Sequence, residues 1–397
     1  MHSFVDRLIS SKVAKSLADY PVVALLGPRQ CGKSTLARKI LAGRGRAAYL
    51  DLERPSDLAK LQDPEGYFEA NRGSLICLDE VQRAPEIFPV LRAICDRREK
   101  PGQFLVLGSA SRDLLRQTSE SLAGRIAYLE LTPFLIQEVQ DGDASASRLW
   151  MRGGFPKSFQ ARSEAVSFEW RLNFIKTFLE RDIPSLAPGV ATATIGRLWS
   201  MCAHLHGQLL NHANLASALG VSDNSIRNWL ELLSGAFAVR LLRPFSENLG
   251  KRLVKAPKLY IRDSGILHAL LSVETMDELY GHPAYGASWE GFAMENILAR
   301  LKPGVKESFY RDSNGSEIDL VLEKGKKRMA FEFKAGSAPV LTRSFHNALE
   351  ALGKPKTIVV SRAGEAFPMG AGVVAMPLRN LLESGEAADF LETRKGA

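Results

Sequence analysis

GPRQCGKST, residues 27–35, decides how the chain begins. It follows the apolar run Val22-Val23-Ala24-Leu25-Leu26 and precedes the helix-forming Leu36-Ala37-Arg38-Lys39-Ile40. The spacing G-x-x-x-x-G-K-S at a strand-to-helix junction is that of a phosphate-binding loop. Gly27 and Gly32 allow a backbone path that a Cβ would obstruct. Along Pro28, Arg29, Gln30 and Cys31 the backbone N–H groups, which Pro28 lacks, then face inward as a cradle for phosphate oxygens, with the positive helix end behind them. Lys33 is placed to reach the β- and γ-phosphates, Ser34 to put its hydroxyl on Mg²⁺, and Thr35 closes the motif.

A phosphate loop needs a carboxylate strand. Residues 74–80, SLICLDE, supply one. Asp79 is expected in the Mg²⁺ shell, as a Walker-B aspartate is, and Glu80 is expected to activate the attacking water. Ala47 to Leu52 reads as a further strand, and Phe104 to Leu107 as another, ending in Gly108-Ser109-Ala110-Ser111. Ser109 is the expected γ-phosphate sensor, and Ser111 a helix cap. SLAGR, residues 121–125, precedes the strand Ile126 to Leu131. Its Arg125 is the expected arginine finger toward a neighbouring subunit, with Arg116 in reserve. A helix over residues 4–19 leads into the first strand.

Strands alternating with helices imply a parallel sheet covered on both faces. Here the chain resembles AAA+-type ATPases, on 27–35, 78–82 and 121–125. That resemblance implies ATP and Mg²⁺ as cofactors, a homo-oligomer or ring, and the sheet order 5-1-4-3-2. In that order a sensor strand separates the phosphate-loop strand from the Asp79 strand.

Residues 133–200 read as a helical lid, with Arg152, Arg171 or Arg181 as second phosphate sensor. Residues 201–282 read as a winged helix: two short helices about a turn at Gly220-Val221-Ser222, then two strands. Between 240 and 262 stand seven basic residues against the single acid Glu247, a net +6. This is most of the chain's excess, which totals +8 from 52 Lys and Arg against 44 Asp and Glu. Concentrated positive charge points to DNA phosphates, with Arg227, Lys251, Arg252 and Lys255 as the expected contacts.

Pro283 to Ser288 reads as a linker into a last domain, 287–397. A helix from Trp289 carries Glu290. Asp319 lies on a strand, and Glu332-Phe333-Lys334 on the next. Residues two apart on a strand face one side, so Glu332 and Lys334 can meet Asp319. Carboxylates suit Mg²⁺ or Mn²⁺. Glu290, Asp319, Glu332 and Lys334 are therefore expected as a metal-dependent phosphodiester site, with Asp319 and Glu332 as ligands. The pattern resembles the restriction-endonuclease-like superfamily, PD-(D/E)XK, in its Holliday-junction-resolvase-like branch. The usual Pro before Asp is Ile318 here.

The expected fold is thus α/β: a P-loop sheet (1–132), a helical lid (133–200), a winged helix (201–282) and a restriction-endonuclease-like domain. The whole chain resembles a prokaryotic ATPase family of unsettled role with these parts. The resemblance implies an ATP-hydrolysing machine acting on branched or single-stranded DNA. Two alternatives stand beside it: a nucleotide-switched DNA-binding regulator with an inert nuclease fold, and a defence or signalling ATPase with a protein target. No apolar run approaches the ~18 residues of a membrane span. The four cysteines form no C-x-x-C pair, which fits a reducing cytoplasm. His204, His206 and His212 lack partners at zinc spacing and read as structural.

Overall fold

The apolar run ahead of the phosphate loop forms β1 (Val22–Leu26), buried at every position. A parallel strand with neighbours on both sides and cover on both faces has no solvent side, so its sequence does not alternate. The other strands of this sheet are β2 (Ala47–Asp51), β3 (Leu75–Asp79), β4 (Phe104–Gly108) and β5 (Ile126–Glu130). All pairings are parallel, in the order β2-β3-β4-β1-β5. This is the expected order, with β4 between the loop strand and the strand that ends at Asp79. The computed structural model describes residues 4–108, 120–140, 142–246, 253–336, 339–362, 364–370 and 372–392.

The chain forms two compact units. One runs to Phe134 and includes Gly235–Phe237; the other holds Leu135–Ser234 and everything from Ala238. The helices expected as a separate lid, Asp143–Arg152, Glu164–Thr177 and Thr192–His204, pack on helix Ser264–Leu270 inside the second unit. No helix forms over 133–139. The Ile136 amide instead donates to Asn296 Oδ1 at 2.8 Å, and Arg379 donates to the Ile136 carbonyl at 2.7 Å. These partners from far along the chain satisfy the backbone that a helix would otherwise have to satisfy. At the N-terminus the first helix is Ser10–Asp19, shorter than expected.

In the second unit β6 (Gln208–Leu209) precedes helix His212–Leu219. Gly220, left-handed at φ +66°, ends that helix. Ser222 Oγ then accepts from the Ser225 amide at 3.1 Å and starts helix Asp223–Gly235. The strands β7 (Val239–Leu242) and β8 (Lys258–Ile261) follow, pairing antiparallel in a small sheet ordered β6-β8-β7.

The last sheet has six strands: β9 (Lys306–Arg311), β10 (Glu317–Lys324), β11 (Lys327–Lys334), β12 (Lys356–Ser361), β13 (Phe367–Gly370) and β14 (Val373–Pro377). Their order is β13-β14-β12-β11-β10-β9. β9, β10 and β11 are antiparallel neighbours, whereas β11, β12 and β14 run parallel. The outer edge of β9 is covered by the flanks of the β7–β8 connection. Phe245 N donates to Phe309 O at 2.7 Å, and Val254 N to Arg311 O at 3.1 Å. Such cover removes an edge open to foreign strands. The expected linker does not exist as such, because helix Tyr285–Leu298 begins inside it.

Candidate functional site

In the first unit the loop after β1 takes a path that depends on its glycines. A Cβ on Gly27 would stand 2.2 Å from the Leu131 carbonyl oxygen, and Gly32 has φ +101°. Gln30 is also left-handed, at φ +61°. Lys33 opens helix Lys33–Ala42 and is buried. Its Nζ donates to the carbonyls of Gly27 (2.9 Å) and Pro28 (2.8 Å), so the ammonium lies within the loop. Arg29 faces Glu53 at 3.8 Å, and Glu53 also faces Arg83 at 3.5 Å. Burial raises the Cys31 thiol above its usual range against the pull of Lys33 and Arg7, which makes Cys31 a packing residue of the loop. Thr35 is exposed on the helix.

Asp79 ends β3 and is buried. Tyr49, on the neighbouring β2, donates its hydroxyl to Asp79 Oδ2 and also meets the Ser34 hydroxyl. Ser34 and Asp79 thus converge on one point. Burial, and then the Asp79 carboxylate, push the Tyr49 phenol far above its usual range, so it stays a neutral donor. Glu80 is left-handed at φ +55°, a strained conformation costing of order 1–3 kcal/mol. Gln82 Nε2 donates to Glu80 Oε2 and holds that carboxylate.

These residues fit a nucleotide with Mg²⁺. Gly27 lies against the Leu131 carbonyl and Gly32 takes a positive φ, which together set the path of the loop, and hard oxygen donors meet beside it. Tyr49, Gln82, Glu53 and Arg7 were not singled out in the sequence. Gln82 is within the 78–82 stretch and had a signal; the others lie outside any motif.

Arg125 is not in its own chain's site. Val22 pairs with Ile126, so Arg125 precedes the end of the sheet opposite the phosphate loop. It pairs there with Asp96 of helix Ile87–Arg98 and donates to Ala123 O at 2.7 Å. Ser109 and Arg116 lie outside the described residues. Of the expected sensors, Arg152 is buried and bound to Glu164 at 2.7 Å. Arg171 is wholly buried and donates to the carbonyls of Met151 (3.2 Å) and Gly265 (3.0 Å). Both guanidinia are spent on structure. Arg181 is exposed.

The basic segment is not a uniformly free surface. Arg240 and Arg262 both bind Glu295 of helix Tyr285–Leu298. Burial opposes ionisation of Glu295, yet the two guanidinia outweigh it and bring its pKa down to about 2. Lys258 is buried as well. Arg227 and Lys255 are exposed, whereas Lys251 and Arg252 lie outside the described residues.

Lys258 points into the expected phosphodiester site. Its Nζ stands 3.2 Å from Glu290 Oε1 and 3.3 Å from Asp319 Oδ1, and it also pairs with Glu317. Tyr260, two residues on, donates to Glu290. Asp319 Oδ2 accepts from the Phe333 amide at 3.0 Å, and Lys334 Nζ donates to Glu332 Oε1 at 2.7 Å. Sequence and structure agree that Glu290, Asp319, Glu332 and Lys334 gather in one cluster, but Lys258, Tyr260 and Glu317 join it unannounced. Among the described residues no three or more His, Cys, Asp or Glu side chains are arranged to hold a metal ion. In this cluster the ammonium of Lys258 stands beside Asp319 and that of Lys334 beside Glu332, the two carboxylates expected as metal ligands. His206 is structural: its Nδ1 accepts from the Ile261 amide at 2.9 Å, and its Nε2 lies 3.1 Å from Ala287 O.

Three stretches match known domain families: an AAA domain over residues 19–140, a domain of unknown function (DUF8612) over 143–277 and another (DUF4143) over 285–381. The uncharacterized proteins Mb2031c of Mycobacterium bovis and Rv2008c of Mycobacterium tuberculosis are each 41% identical over 386 residues, spanning 97% of this chain and 86% of their own. The Walker-type ATPase PABY2304 of Pyrococcus abyssi superposes with a TM-score of 0.48 at 16% identity, over 68% of this chain and 96% of its own. Among the described residues no helix is long and apolar enough to cross a membrane.

Proposed function

Because the chain belongs to the family of the mycobacterial proteins Mb2031c and Rv2008c and carries an AAA-type P-loop ATPase domain, we propose that it hydrolyses ATP and couples that cycle to binding DNA. The observation that carries the ATPase reading is the convergence of Ser34 and Asp79 at Tyr49, with Lys33 inside the loop and Glu80 next in sequence. Mg²⁺, bound with the nucleotide, supplies charge neutralisation across the phosphates. Ser34 and Asp79 would hold it. Lys33 exchanges its two carbonyl partners for phosphate oxygens. Glu80, oriented by Gln82, takes the proton of the attacking water.

DNA binding is assigned to the helix pair His212–Leu219 and Asp223–Gly235, read as a winged helix with the β6-β8-β7 sheet. Exposed Arg227 and Lys255 support it, and Lys251 and Arg252 belong to the same proposal. The C-terminal sheet is read as restriction-endonuclease-like. Its cluster, bound by Lys258, favours the inert form of that fold and so a nucleotide-switched DNA-binding protein over a cutting one.

Reversing Arg227, Lys251, Arg252 and Lys255 to Glu should weaken binding to labelled duplex and branched DNA alike. The slope of log K against log salt should flatten by roughly one per lost phosphate contact. Anisotropy titrations at several salt concentrations measure both. Unchanged affinity and slope would remove DNA from the proposal and leave a protein target.

A further inference from the structure

We propose that Lys258 is the resident cation of the C-terminal carboxylate cluster: its ammonium stands where a divalent ion would have to bind, and the cluster is closed to metal while β8 is in place. An ammonium has three N–H donors and no acceptor. Here the three carboxylates Glu290, Glu317 and Asp319 take them. They come from helix Tyr285–Leu298 and from β10, and the lysine comes from the β6-β8-β7 sheet. One side chain thus ties the small sheet to the large one.

The same strand delivers a second group. Tyr260 stands two residues from Lys258, hence on the same face of β8, and its hydroxyl binds Glu290. Burial works against a charged Lys258, but Glu290, Asp319 and the other acidic neighbours outweigh it and raise its pKa well above the usual range.

The cluster holds more carboxyl groups than lysines. Lys258 and Lys334 face four carboxylates: Glu290, Glu317, Asp319 and Glu332. Arg311 reaches only the partly exposed Glu317, at 2.7 Å. Glu332 Oε2 is buried with no hydrogen-bond partner, an acceptor left over where an ion of higher charge would be satisfied. This inference concerns the cluster alone and stands or falls apart from ATP hydrolysis and DNA binding.

The test is Mn²⁺ binding without nucleotide, followed by the electron paramagnetic resonance of free Mn²⁺, with thermal unfolding in parallel. Wild type and Asp319→Asn should bind Mn²⁺ equally. Lys258→Met keeps the aliphatic stem beside Phe309, whose ring lies 5.6 Å from the ammonium. It should take up one further Mn²⁺ per chain, abolished by adding Asp319→Asn, and its lowered unfolding temperature should recover with Mn²⁺. If Lys258→Met does not fold alone, Mn²⁺ should restore a cooperative transition, and failure to do so overturns the inference. Loss of a Mn²⁺ ion from wild type on Asp319→Asn overturns it too, since the lysine would not exclude metal. So does a folded Lys258→Met with no Asp319-dependent ion. ATP hydrolysis by the same preparations reports separately on the nucleotide site.

Discussion

The Arg7 guanidinium donates to the Cys31 carbonyl at 2.9 Å and to the carbonyls of Thr132 and Pro133, where the chain leaves β5. Its plane also lies 5.0 Å from the Phe134 ring. Carbonyls that no helix or strand satisfies thereby gain a charged partner. Arg7→Ala should cost about 3 kcal/mol of stability in the first unit, the scale of a buried charged donor lost with its acceptors left behind. It should weaken ATP binding as well, because Cys31 belongs to the phosphate loop. Urea unfolding and nucleotide titration check this; unchanged values for both would show that the loop holds its shape alone. Nothing in the sequence around Arg7 announces the role, since its partners stand 24 and more than 120 residues away. Lys33, Asp79 and Glu80 were legible because their chemistry requires fixed spacing against a strand and a helix. Tyr49 was not, because an aromatic within a strand looks like core.

Among the elements, helix Tyr285–Leu298 is tied to the small sheet by Glu295, which holds Arg240 of β7 and Arg262 just past β8. Glu295 has its pKa depressed to about 2 by those guanidinia against the effect of burial. A depressed carboxylate stabilises fully above its unfolded value of about 4.5, and that contribution disappears as pH falls through its folded value. Glu295→Gln should therefore cost about 3 kcal/mol at pH 7, leaving two arginines unpaired, and the difference from wild type should shrink between about pH 4.5 and pH 2. Equal stability at pH 7 would contradict the ion pairs. The same helix explains a misreading. Pro283 and the nearby glycines suggest a linker, yet Gly291 is there for a close approach: a Cβ would stand 2.4 Å from His206 Nε2. The strands were readable from apolar runs bounded by turn residues, including β10 and β11 about the left-handed Gly325. Local periodicity misled over 133–139, where the bonds to Asn296 and Arg379 decide the conformation. Over 240–262 the sequence shows the sign of the charge and not its partners: Arg240 and Arg262 hold Glu295, and Lys258 holds Glu290 and Asp319.

For the whole molecule, the first boundary falls between Phe134 and Leu135, two residues from the expected one, whereas the lid helices belong with the second unit. An AAA-type unit whose Arg125 lies at the far end of its own sheet invites a shared site between copies. Arg125→Ala should keep ATP binding and lose hydrolysis by roughly 10³-fold. Mixing it with Lys33→Ala protein should restore part of the rate, as intact loops meet intact arginines. Full activity in a protein that light scattering finds strictly monomeric would remove Arg125 from catalysis.

ATP binding by the loop at 27–35 and hydrolysis through Glu80, as proposed for the first unit, separate when bound ATP and released phosphate are measured on one sample of Glu80→Gln. Removing a general base typically costs 10²–10⁴-fold, while the loop, Lys33 and Asp79 remain to hold the nucleotide. This variant should retain ATP at wild-type affinity and release phosphate more slowly by roughly a hundredfold or more, the lower bound of that range. Phosphate release at the wild-type rate, or failure of the wild type to bind ATP at all, would contradict the proposal.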